Sequence, residues 1–106
     1  MGTRGLVRLI YRNRHFATHL SCDGYPSAAG REIAERLNKL LKKFTLQEVR
    51  SKVENMTAVE CETDYSGGHI PLDEWIEKGK WCQAFCEDAE YEYVISLDTQ
   101  KVFVIE

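Results

Sequence analysis

The sequence predicts a single α+β domain over residues 1–106, with an antiparallel sheet from N- and C-terminal hairpins packed against two main helices. Three observations predict it. Residues 5–22 and 91–105 both read as strand pairs interrupted by a polar turn. Residues 27–44 place apolar side chains at helical spacing. Thr45-Leu46-Gln47-Glu48 has the form of a capping box, which starts a second helix. Strands at both ends with helices between them favour a sheet covered by helices on at least one face.

In chain order, 5–11 and 15–22 form the first hairpin, with a register centred on Asn13. Leu6, Ile10, Phe16 and Leu20 then share one face, and Val7, Leu9, Tyr11 and Ala17 the other. Ser27 is the expected N-cap of the first helix, whose stripe is Ile33, Leu37, Leu40, Leu41 and Phe44, with Arg31, Glu35, Lys39 and Lys42 toward water. Phe44 staples onto Val49, and Val49, Val53 and Met56 continue the buried side of the second helix. A short strand is expected over 58–62, then a loop at Ser66-Gly67-Gly68 with His69 in it. Pro71 opens a short helix through Trp75 and Ile76, closed by Gly79. Trp81, Cys82, Phe85 and Cys86 read as one further helical turn, and strands 91–97 and 101–105 close the chain around Asp98-Thr99-Gln100.

With 106 residues, 43% hydrophobic and 29% charged, the composition is that of an ordinary globular domain. No apolar run approaches the roughly 18 residues of a membrane span, and Arg8, Arg12 and Arg14 interrupt any signal-peptide core, so a cytoplasmic protein with no membrane partner is expected. Charge is unevenly placed: residues 1–22 carry +4, 23–59 carry +2 and 60–106 carry -9, which gives the net -3. A pI near 5.6 argues against general duplex nucleic-acid binding. The N-terminal arginines suit either a compact anion or pairing with the acidic C-terminal half.

Four cysteines without an export signal predict free thiols. No metal or cofactor is expected: Cys82 and Cys86 lack further ligands at metal spacing, Cys22 and Cys61 are scattered, and His15 and His19 lie about 13 Å apart along a strand. No flanking motif selects a Cys–His catalytic pair either.

The candidate ligand-binding residues are Arg4, Arg8, Asp23, Tyr25 and Ser27. A register centred on Asn13 brings Arg4 opposite Cys22 or Asp23. Gly24 permits a tight turn, Pro26 holds Tyr25 extended, and the helix start that follows favours an anion. Tyr25 offers a stacking surface. The competing structural role is an Arg4–Asp23 pair that locks the hairpin end, with Tyr25 in the core.

Met1 to Leu6, Asp23-Gly24-Tyr25-Pro26 and the ending Tyr93-Val94-Ile95-Ser96-Leu97-Asp98-Thr99 resemble a family of small uncharacterised phage, bacterial and fungal proteins. Its members begin Met-Gly-Thr-Arg or Met-Cys-Thr-Arg before Gly-Leu, and carry Asp-Gly-Tyr-Pro or Asp-Ser-Tyr-Pro. The resemblance covers about a third of the chain and implies a phage or prophage setting. The expected function is a small accessory binding protein, of counter-defence type, that recognises an anionic nucleotide-like ligand or a host protein; an open hairpin edge leaves room for a homo-oligomer. The alternative is an N-terminal-nucleophile-like amidohydrolase, which relatives beginning Met-Cys resemble. Gly2 supplies no nucleophile at that position, so no catalytic residue is assigned.

Overall fold

The computed structural model describes residues 3–20, 25–60, 70–84 and 89–105. Strands β1 (Gly5–Tyr11) and β2 (Arg14–Leu20) form the first hairpin; β5 (Tyr91–Ser96) and β6 (Lys101–Ile105) form the last. Between them run a π-helical turn (Pro26–Gly30), α1 (Arg31–Lys43), α2 (Leu46–Glu54), β3 (Thr57–Glu60), α3 (Leu72–Lys78) and β4 (Lys80–Gln83). The fold is α+β with both terminal hairpins in one sheet. That sheet has the order β2-β1-β5-β6, and β3 pairs with β4 in a second, small sheet. Both hairpins are antiparallel, but they join through a parallel β1–β5 pairing, so the main sheet is mixed. The helical middle carries the chain back to the starting end of β1, which makes β5 run in the same direction.

The first hairpin turns on two residues, Arg12 and Asn13, with Arg12 at φ 54°. Gly5 therefore pairs with Leu20 and Leu9 with Phe16, one residue away from a register centred on Asn13. Since side chains alternate, this single step exchanges faces on one strand. Phe16 and Leu20 join Val7, Leu9 and Tyr11 in the helix-covered core, while Leu6 and Ala17 are buried on the opposite side. Tyr93, Ile95 and Leu97 continue the core along β5 and its turn.

Pro26, which has no N–H to lose and a fixed φ, takes the first helical position and makes Tyr25 the N-cap. Ser27 thus lies inside the helix start and gives no side-chain cap. On α1, Ile33 and Leu40 are buried and Leu37 and Phe44 pack against the core, but Leu41 is exposed. At α2 the capping box forms in full: the Glu48 N–H donates to Thr45 Oγ1 at 3.2 Å, and the Thr45 N–H donates to Glu48 Oε1 at 3.1 Å. Val49, Val53 and Met56 are buried beneath it.

Gly79, at φ 75°, ends α3 in the left-handed conformation that glycine adopts without strain. The chain then enters β4, so Trp81 and Cys82 lie on a strand and not on a helical turn. Parallel pairing with β3, from Thr57↔Lys80 to Glu60↔Gln83, outweighs the local helical spacing. Trp81 is fully buried, packs edge-on against Trp75 at 5.0 Å and lies 6.1 Å from Phe16. Its Nε1–H donates to the Ala17 carbonyl at 3.0 Å.

Cys82 is disulfide-bonded, which corrects the expectation of four free thiols; its partner cysteine lies outside the described residues. Phe85, Cys86, His69 and the 66–68 loop also fall outside the described residues.

Two outcomes follow. One disulfide consumes two of the four cysteines, so thiol titration of denatured, unreduced protein should find no more than two free thiols. Thr45→Ala should destabilise the fold by about 1 kcal/mol in urea melts at neutral pH. The Thr45 N–H, followed by its hydroxyl, holds the Glu48 carboxyl below its usual pKa. The stability linked to Glu48 is therefore present above the ordinary carboxylate pKa and is lost as pH falls through the depressed folded value. Thr45→Ala keeps the backbone N–H and removes only the hydroxyl, so it should flatten the acid limb of the stability–pH curve in part; a limb flattened completely would show that the hydroxyl, and not the N–H, carries the linkage.

Candidate functional site

Arg4 lies at one end of the main sheet. There β1 begins at Gly5, β2 ends at Leu20 and β5 begins at Tyr91, with Gly5 paired to both others. The Arg4 carbonyl joins this end together by accepting from the Glu90 N–H at 3.0 Å and the Tyr91 N–H at 3.4 Å. The chain returns to the described structure at Tyr25, whose carbonyl accepts from the Ala28 and Ala29 N–H groups, both at 3.0 Å. Tyr25 is 39% exposed, and Ser27 is exposed beside it, so Tyr25 does not fill the core. Asp23 lies outside the described residues, and with it the Arg4–Asp23 pair.

What seats the helix start on the sheet is the contact between Gly30 and Tyr93. A Cβ at position 30 would lie 3.2 Å from Tyr93 Cε1, closer than the neighbouring ring easily allows. The absent side chain lets the π-helical turn rest directly on the phenol. Burial, reinforced by the neighbouring Tyr91, pushes the Tyr93 hydroxyl up to about 12, against a smaller downward pull from the Gly30 backbone N–H. Neither the contact nor the shift is marked by a local motif; a glycine inside an otherwise helical segment was the available signal.

Arg8 sits elsewhere. Tyr93 and Val7 pair on the helix-covered face, so Arg8 and Glu92, one residue along, project from the opposite face. There an Arg8 Nη2–H donates to Glu92 Oε1 at 3.2 Å, and Nη1 lies 3.1 Å from His15 Nε2. The sheet thus separates Arg8 from Ser27. On the same face, His19 Nε2 is buried without a hydrogen-bond partner, as is Arg8 Nε. His15 and His19, set aside as a metal pair, flank this polar cluster instead. Among the described residues, no three His, Cys, Asp or Glu side chains converge as metal ligands.

An apolar groove of about 350 Å³ opens on the helix side, lined by Leu37, Leu41, Leu46, Ile95, Leu97 and Val102 among others. It runs between α1 and β6, and among the described residues that line it Lys101 is the one titratable group. Such a lining suits burial of apolar groups and not acid–base chemistry.

Among the described residues, no helix is long and apolar enough to cross a membrane. Compared with protein-family models, curated proteins and solved structures, the chain finds no match.

The Tyr93 contact makes stability fall at alkaline pH. The raised folded pKa means that its contribution is whole below about pH 10 and is lost as pH rises from there through about 12. Urea midpoints for the wild type should drop between about pH 10 and 12, and Tyr93→Phe should remove part of that drop; an identical drop in both proteins would show that another group titrates.

Proposed function

We propose that the protein is a small accessory binding protein of phage or prophage type that holds an anionic, nucleotide-like ligand at the corner formed by Arg4, Tyr25 and Ser27. The supporting observation is the helix start at Pro26. It has no side-chain cap, its N-cap Tyr25 is 39% exposed, and four residues separate Tyr25 from Leu20, where the chain leaves β2 at the sheet end where Arg4 lies. A helix start of this kind favours negative charge, an arginine recognises phosphate in a planar, bidentate manner, and a tyrosine face stacks on a base. The net -3 charge and the -9 carried by residues 60–106 support a compact anion over duplex nucleic acid. A counter-defence role follows from sequestration of such a ligand, and a cytoplasmic site of action follows from where nucleotide signals are made.

The test is calorimetric titration with nucleoside mono-, di- and triphosphates and cyclic dinucleotides. Arg4→Ala and Tyr25→Ala should each weaken binding at least about tenfold, the scale of one charge-assisted hydrogen bond or one stacked base, while the melting temperature stays near wild type. Arg8→Ala, on the far face, should leave binding unchanged. Loss of binding and stability together would assign the corner a structural role. Saturable capture of a single host protein, with no nucleotide bound, would favour the protein-partner form of this function.

A further inference from the structure

We propose that β6 pairs antiparallel with the β6 of a second copy, centred on Phe103, to make a two-fold dimer in which the four-stranded sheets join into one. The main sheet has two edges, and they are treated differently. At β2 the outward-facing peptide groups of Ala17 are occupied: its N–H donates to Gln83 Oε1, and its carbonyl accepts from the Ala84 N–H and from Trp81 Nε1–H, all at 3.0 Å. At β6 no described strand or side chain takes that role. Val102, Phe103, Val104 and Ile105 are each between 47% and 51% exposed, a long apolar edge of the kind that soluble proteins ordinarily blunt.

The hydrogen-bonding direction of each β6 residue follows from β5. The Tyr91 and Leu97 N–H groups donate to the Arg4 and Ile10 carbonyls of the β1 side, so odd-numbered residues of β5 face β1 and even-numbered ones face β6. Glu92, Val94 and Ser96 pair with Ile105, Phe103 and Lys101, which therefore direct their peptide groups inward. Val102 and Val104 direct theirs outward, to the open edge.

A two-fold antiparallel ladder requires one residue to lie opposite its own copy, because hydrogen-bonded and non-hydrogen-bonded pairs alternate and symmetry must map each kind onto itself. Centring on Phe103 sets Val102 against Val104 of the second copy, and the reverse, so both outward-facing residues on each copy are used. Centring on Val102 would set Val104 against Gln100, whose φ of 58° takes it out of the strand. Centring on Val104 would push Val102 beyond Ile105.

The edge also specifies its occupant. It is apolar on both faces, with Val102 and Val104 on the helix side and Phe103 and Ile105 on the other, so a matching strand must be apolar on both faces as well. β6 itself meets that requirement. Phe103 meets its own copy as a close aromatic pair, and Lys101 lies opposite Ile105, so like charges do not face each other. A two-fold axis normal to the sheet keeps both helical layers on one side, and the two grooves beside Leu41, itself 47% exposed, open toward each other. Half-exposed β6 side chains and the groove wall offer on the order of 500 Å² per copy, close to the roughly 600 Å² a side at which specific interfaces begin. An interface of that size is that of a reversible dimer and not of an obligate one.

Sedimentation velocity between about 1 and 200 μM should show monomer passing to dimer. Val104→Pro removes only an outward N–H, leaves the bonds to β5 intact, and should weaken dimerisation at least about tenfold with circular dichroism unchanged. Phe103→Glu, at an exposed position, sets two like charges across the axis and should abolish the dimer, which keeps the test decisive if the proline variant unfolds. Under mild oxidation Phe103→Cys should crosslink two copies, whereas Lys101→Cys should remain at the wild-type level. A wild type that stays monomeric to about 200 μM, a dimer indifferent to Phe103→Glu, or preferential crosslinking through position 101 would each overturn the proposal.

Discussion

Trp81 holds the parts of this molecule together. It is buried completely, and its one polar atom is satisfied by the Ala17 carbonyl of β2. Its ring meets Trp75 of α3 and Phe16 of the main sheet. A large aromatic brings much apolar area into the core, and a paired indole N–H avoids the penalty of a buried donor left without an acceptor. Through this one side chain the small β3–β4 sheet, α3 and the closed edge of the main sheet share a common core. The Ala17 N–H and the Ala84 N–H complete the same junction, so β2 is finished as an edge by backbone and side chain alike.

Part of the charge asymmetry along the chain is resolved across this architecture. Arg8 of the basic N-terminal segment pairs with Glu92, while the Arg12 guanidinium pairs with Glu54 of α2. Arg36 joins Glu32 at 2.9 Å and the buried Asp73 at 3.2 Å, and Lys43 meets Glu77. Arg36 stays firmly protonated, first through its hydrogen bond to Glu32 and then through the charge of Asp73, against the cost of burial. Asp73 is 6% exposed, so its carboxylate depends on this guanidinium more than any surface pair does. Glu92, Asp73 and Glu77 of the acidic C-terminal half thus serve as counter-ions for Arg8, Arg36 and Lys43.

Signals carried by a few neighbouring residues were legible in the sequence. Thr45 with Glu48 gave the second helix start, Gly79 the end of α3, and the terminal turn near Asp98 the last hairpin, because each is fixed by local hydrogen bonding or by one backbone conformation. The first hairpin was legible as a hairpin but not in its register: whether Asn13 centres the turn or shares it with Arg12 is decided by packing of Phe16 and Leu20 on the core. Parallel pairing of β1 with β5 and of β3 with β4 joins residues far apart in the chain, and no local pattern reports it. Of the candidate corner, the helix start after Tyr25 was legible in Pro26. Ser27 lost its capping role to the neighbouring Pro26, and Arg8 was grouped with the corner only because nothing in the sequence says which side of the sheet it occupies.

The place of β1 bears on how the chain folds. β1 is a central strand, yet one of its two neighbours, β5, enters some eighty residues later, from Tyr91 onward. The hairpin to β2 closes early, since its contacts are local, but the Arg4 and Ile10 carbonyls wait for Glu90, Tyr91 and Leu97. Closing so long a loop is slow, and during synthesis most of the chain must leave the ribosome before the sheet can exist. Until then the strand that will end at the middle of the molecule is an edge, and whatever shields that edge in the growing chain governs the yield of folded protein.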